Sequence, residues 1–128
     1  KMEVLVIDEI SMVRADLLDA IDYFLRRNRE NPWPFGGVQV VFVGDLFQLP
    51  PVVSSQEERL IFETEYESPY FFSSKVFQEG FEMETVELTQ AYRQQSVHFL
   101  RLLNAVRLNQ LDYEGVEPNS SSADFIHR

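Results

Sequence analysis

Apolar residues fall into two short continuous runs, each cut off by polar residues at its end. Val4, Leu5, Val6 and Ile7 stop at Asp8-Glu9, and residues 38–43 (VQVVFV) stop at Gly44-Asp45. Runs of this length predict strands buried on both faces of a parallel sheet. Between them, Leu17, Leu18, Ile21, Phe24 and Leu25 recur at helical spacing. Asp16, Asp19 and Asp22 come early in that helix and Arg26, Arg27 and Arg29 late, the order that suits the helix dipole. NPWPFGG, residues 31–37, is a turn signal between helix and second strand. The pattern predicts one strand-helix-strand unit.

Further along the pattern weakens. Residues 54–70 are acidic with scattered aromatics and read as a loop with little regular structure. Ser73 or Ser74 can cap a short helix running to Gln78, with Gly80 at its end. Residues 82–88 are a candidate third strand. Ser96 then caps a helix whose apolar face is Phe99, Leu102, Leu103 and Val106. From Asp112 the chain is polar, with serines at 120–122, which reads as a loosely held tail or linker, residues 112–128, behind a folded part over 1–111. Alternating strands and helices predict an α/β fold, a mainly parallel sheet flanked by helices. Ligands of such sheets gather at the carboxyl ends of the strands. Three polar clusters fall there: Asp8-Glu9, Gly44-Asp45 with Gln48, and Gln90 with Arg93.

Composition narrows the function classes. A chain of 128 residues with 45% hydrophobic and 13% aromatic residues can bury a core as one domain. With no cysteine there is no disulfide scaffold and no thiolate metal site. No apolar run approaches the roughly 18 residues of a membrane span. The expectation is a soluble, intracellular protein. A formal charge of -10 excludes a broad electrostatic footprint for nucleic acid, so any DNA contact is local or shared with other parts. Arg59 and Lys75 are the candidate DNA contacts. The strand that begins straight after Lys1-Met2-Glu3 reads as part of a longer protein.

A carboxylate pair directly behind a buried strand can divide its labour. Asp8 can hold a magnesium ion through water while Glu9 orients or deprotonates an attacking water. Gln48 carries an amide that donates and accepts, so it can register a γ-phosphate or the lytic water. Arg93 can supply positive charge at the γ-phosphate, and Pro50-Pro51 stiffen the outgoing chain. Taken singly, each has an ordinary structural reading: a solvated turn, a loop, a surface arginine. Trp33, Phe35, Phe71 and Phe72 read as core or loop anchors ahead of base-stacking platforms, and His98 carries no role. It is the three clusters in this order that point to a nucleotide site.

These residues also resemble a known family. VLVIDEISMV looks like the Walker B segment, motif II, of the petite-integration-frequency helicases, a branch of the superfamily 1 DNA helicases. PFGGVQVVFVGDLFQLPPV resembles their motif III with its leader, and LTQAYRQ their motif IV. The resemblance implies part of the first RecA-like P-loop NTPase motor domain, ATP with magnesium, and 5' to 3' translocation on single-stranded DNA and at DNA junctions. It implies roles in DNA repair, recombination and telomere maintenance, in the cytoplasm of a bacterium or the nucleus or mitochondria of a eukaryote. Asp8 would be the magnesium-associated acid, Glu9 the catalytic base, Gln48 the γ-phosphate sensor and Arg93 the motif IV arginine; Gly44 and Asp45 belong to motif III.

One departure stands out. No G-x-x-x-x-G-K-[ST] run occurs, so the phosphate cradle is missing from these residues and the chain alone is expected neither to hydrolyse ATP nor to unwind DNA. In RecA-like sheets the P-loop strand lies beside the motif III strand. The expectation is that residues 83–88 close that gap against 38–43, or that the exposed edge self-associates. Two other readings stay open: a catalytically silent acidic α/β interaction module, and a helicase of the RecD type.

Overall fold

The computed structural model describes residues 2–90, 92 and 96–109. They fall into two compact units, Lys1–Glu87 and Leu88 onward. The expected boundary between residues 111 and 112, and the tail behind it, lie outside the described residues.

In the first unit, strand β1 (Val4–Ile7), helix α1 (Ala15–Arg29) and strand β2 (Gln39–Phe42) form the expected strand-helix-strand unit. The strands are parallel, with Val4 opposite Gln39 and Ile7 opposite Phe42. Leu5, Ile7, Val40 and Phe42 face the core made by Ile10, Leu18, Leu25, Phe35, Val38, Phe71 and Val76. Val4, Val6 and Val41 on the other face are exposed. The expectation of strands buried on both faces is corrected here, because among the described residues the core packs on one face of the sheet.

The turn before β2 is built onto α1. Pro34–Gly37 folds as a tight turn in which Phe35, Gly36 and Gly37 all take positive φ. A Cβ at Gly36 would sit 2.6 Å from the Leu25 carbonyl oxygen, so only glycine lets the turn approach the helix this closely. Buried Asp22 accepts the Phe35 N–H at 2.6 Å and pairs with Arg26 at 2.8 Å. Arg29 donates to the Gly36 carbonyl at 2.8 Å and to the Met2 carbonyl at 2.9 Å, tying the turn to the segment that enters β1.

Two expectations fail downstream. Residues 54–70 are not an irregular loop: helix α2 spans Gln56–Glu65. Its start is a reciprocal capping box, in which the Ser55 hydroxyl accepts the Glu58 N–H at 3.0 Å and the Glu58 carboxylate accepts the Ser55 N–H at 3.2 Å. Residues 82–88 form no strand, and β2 pairs with β1 alone among the described residues, so the closure by 83–88 is not formed. The short helix α3 (Lys75–Gln78) follows Ser74, yet neither candidate serine caps it. Asp19 on α1 does so, accepting the Lys75 and Val76 N–H groups at 3.1 and 3.2 Å.

In the second unit, helix α4 (Val97–Arg107) starts as expected, with the Ser96 hydroxyl accepting the Phe99 N–H at 3.4 Å. No residue of α4 is fully buried.

Candidate nucleotide site at the carboxyl end of the sheet

Because β1 and β2 are parallel and matched Ile7 to Phe42, both strands end at the same level. Hydrogen bonding continues past them. Val43 N–H donates to the Ile7 carbonyl at 2.9 Å, and Ile10 N–H donates to the Val43 carbonyl at 3.0 Å. The segment that leaves β1 is thereby stitched to the one that leaves β2. Between those bonds the chain reverses at Glu9, which adopts a left-handed conformation (φ 51°, ψ 42°) and enters the 3-10 turn Ile10–Met12. Asp8 holds this reversal by accepting the Glu9 N–H on Oδ1 at 2.8 Å. Gly44 makes the close approach possible, since a Cβ there would lie 2.9 Å from Ile10 Cγ2 and 3.0 Å from Ile10 N. Both carboxylates are exposed.

The loop behind β2 is organised by Asp45. Its Oδ1 accepts the Phe47 N–H at 3.0 Å, its carbonyl accepts the Gln48 N–H at 3.0 Å, and its Oδ2 accepts the Gln48 side-chain amide at 3.3 Å. Such Asx turns present the next residues in a defined orientation, and Gln48 is exposed. Pro51 is buried and Pro50 exposed, so the second proline anchors the loop exit. Asp8, Glu9, Gly44, Asp45 and Gln48 are thus brought to one end of the sheet. Gln90 belongs to the second unit, where its Oε1 accepts the Tyr92 hydroxyl at 2.8 Å. Arg93 lies outside the described residues.

The carboxylates suit a hard cation shared with phosphate. Magnesium keeps several waters and takes one or two protein carboxylates beside phosphate oxygens, so a single exposed Asp8 matches its chemistry. Among the described residues no group of three or more His, Cys, Asp or Glu could cage a metal.

The sequence model described as "PIF1-like helicase" matches residues 1–117. This chain belongs to the PIF1-like helicase family. It is 44% identical over 111 residues to the ATP-dependent DNA helicase PIF1 of Saccharomyces cerevisiae (strain YJM789), covering 86% of this chain and 12% of that protein. With the human protein of the same name it shares 42% identity over 111 residues, 86% of this chain and 16% of the other. The chain spans about a seventh of the length of these relatives. A crystal structure of a Bacteroides Pif1 helicase in complex with ADP-AlF3 and single-stranded DNA superposes with a TM-score of 0.83 at 48% identity, covering 89% of this chain and 26% of that one. The α/β unit is therefore a partial RecA-like fold, as expected.

Sequence reasoning about this PIF1-like chain passed over Arg14. Its guanidinium holds Asp16 through two bonds of 2.6 and 3.0 Å and Glu58 of α2 through one of 2.7 Å. It also lies 5.4 Å from the centroid of the buried Phe62 ring. The backbone joins in: Arg14 forms an antiparallel bridge with Tyr70, and Ala15 N–H donates to the Pro69 carbonyl at 2.9 Å. The available signal was the Ser55-x-x-Glu58 spacing, which marks a helix start. Of the candidate DNA contacts, Lys75 is paired with Glu65 at 3.2 Å and lies over Tyr66, while Arg59 is exposed. Phe35 and Phe71 are core residues, whereas Trp33 and Phe72 are exposed.

Arg14, followed by the Ser54 and Ser55 N–H groups, holds the Glu58 carboxyl at about 2, well below its ordinary 4.5. Asp16 is lowered too, first by its bonds to Arg14. Carboxyls depressed on folding stabilise the protein above their unfolded value and lose that contribution as pH falls toward the folded value. Thermal midpoints measured from pH 6 to 2.5 should therefore fall more for the native chain than for Glu58→Gln, and the gap between them should narrow below about pH 4.5. A gap of constant size across that range would refute the assignment.

No helix among the described residues is long and apolar enough to cross a membrane.

Proposed function

We propose that these residues form part of the first motor domain of an ATP-dependent DNA helicase that moves 5' to 3' along single-stranded DNA and acts at DNA junctions. The observation that carries this reading is the meeting of the Asp8-Glu9 reversal and the Asp45-Gln48 turn at one end of a parallel sheet. Asp8 holds magnesium through water, and Glu9 orients the attacking water and takes its proton. Gln48 moves from Asp45 to the γ-phosphate, and Arg93 adds positive charge there. Gly44 and Asp45 keep the turn close to the nucleotide. Bound magnesium neutralises the charge that develops on the phosphate oxygens.

Residues 1–111 serve as the motor part and 112–128 as a linker. These 128 residues hold no phosphate-cradling G-x-x-x-x-G-K-[ST] run, so the chain alone does not turn over ATP. The exposed edge of β2 is the place where it would pair with further strands or with a second copy. The compartment is intracellular: cytoplasmic in a bacterium, nuclear or mitochondrial in a eukaryote.

A strand-displacement assay on the whole protein tests the reading. A duplex with a 5' single-stranded tail should be unwound only with ATP and magnesium, and a 3'-tailed duplex left intact. Failure of single-stranded DNA to stimulate ATP hydrolysis would overturn it.

A further inference from the structure

The loop that carries Gln48 is held at both ends by the segment that follows the carboxylate pair. At its entrance, Val43 and Gly44 lie against Ile10, through the Ile10 N–H bond of 3.0 Å and the close packing that only glycine allows. At its exit, the capping box of Ser55 and Glu58 is gripped by Arg14 at 2.7 Å. Arg14 is itself braced by Asp16, and it stands five residues after Glu9 on the same rigid connection into α1. The loop between these anchors, residues 45–54, has one buried residue, Pro51, and is otherwise exposed or half-buried. Its geometry therefore depends on the Asp45 turn, on Pro51 and on its two ends, of which the exit is held by Arg14.

We propose that Arg14, acting through Glu58, is a positioning residue that sets the exit of the 45–54 loop and so the reach of Gln48 toward the γ-phosphate. The inference rests on Gln48 being the sensor. The Arg14 fork is occupied by Asp16 and Glu58, so its effect passes through the start of α2. Glu58 has two separable jobs. It caps α2 by accepting the Ser54 and Ser55 N–H groups, and it anchors α2 by its charge on Arg14. Glutamine keeps the first and weakens the second, because a side-chain amide oxygen still caps a helix but carries no charge.

The test is the ratio of triphosphate-analogue to diphosphate affinity in the whole protein, measured with a non-hydrolysable ATP analogue and ADP for the native protein, Glu58→Gln, Gln48→Ala and the double variant. Glu58→Gln should lower the ratio about fivefold, the scale expected for a displaced polar contact, with ADP affinity unchanged. In the Gln48→Ala background it should have no further effect. A merely structural role for Glu58 would weaken both nucleotides alike and leave the ratio unchanged. An unchanged ratio in Glu58→Gln, or equal effects of that change in both backgrounds, overturns the role of Arg14 while leaving Gln48 as sensor. An unchanged ratio in Gln48→Ala overturns the sensor assignment instead.

Discussion

Glu9→Gln in the whole protein is expected to lower ATP turnover by about 10²–10⁴-fold, the range for losing a general base, while leaving the fold's stability within about 0.5 kcal/mol. Both halves follow from the turn behind β1. The Glu9 side chain has no hydrogen-bond partner among the described residues and is exposed; it is the backbone of Glu9 that carries the reversal, through its N–H to Asp8 and its carbonyl to Met12. Glutamine matches glutamate in shape and can adopt the same left-handed backbone, so the reversal and the stitch from Ile10 to Val43 persist. Only the ability to take a proton is lost. Nucleotide affinity should hold or rise, since one negative charge fewer faces the phosphate. Turnover within tenfold of the native rate, with the protein folded, would remove Glu9 from the base role.

Phe35→Ala should cost about 3–5 kcal/mol in urea unfolding of the chain, the range for deleting a fully buried aromatic. Phe35 is 0% exposed and meets Phe42 and Phe81 edge-on, with ring centroids 6.3 and 5.2 Å apart. Its φ of 52° is strained for any residue with a Cβ, so that strain is common to phenylalanine and alanine and the difference measures packing. A loss of this size is a large part of the stability of an ordinary domain. It should also loosen the contact of β2 with α1, because the lost ring packs on Phe42 of β2 in the same cluster as Leu18 and Leu25 of α1. A cost below about 1 kcal/mol would mean that the cavity collapses freely.

The acidic residues of α1 show how far a linear pattern reaches. Asp16, Asp19 and Asp22 were legible as charge placed early on a helix. In the folded chain their tertiary roles diverge. Asp16 braces Arg14, Asp19 caps α3 and accepts the Tyr66 hydroxyl at 2.9 Å, and Asp22 is buried under the Phe35 turn. The Tyr66 hydroxyl pairs across 47 positions of sequence, and its ionisation is pushed up by burial and then by that bond. No periodicity carries such a pairing.

The failures have similar causes. α2 was hidden because its apolar residues are few and largely exposed, Leu60 at 61% and Ile61 at 50%, with Phe62 alone buried. Its helical state comes from the cap and from docking on Arg14 rather than from an amphipathic stripe. Residues 82–88 alternate like a strand, but a strand exists only where a neighbour completes its hydrogen bonds, and composition does not provide one.

By itself the sequence determined β1, α1, β2 and α4, the glycine turn at 36–37, and which residues would stand at the ends of β1 and β2, though not the strand expected before Gln90. Those features are local: hydrophobic periodicity, capping side chains and backbone conformations that few residues tolerate. Only the tertiary structure decided that the Asp8-Glu9 reversal is stitched to the strand before Gly44, that Asp45 holds Gln48, and that Arg14 reaches Glu58. Each of these depends on groups whose meeting is set by the register of two parallel strands and the helix packed on them.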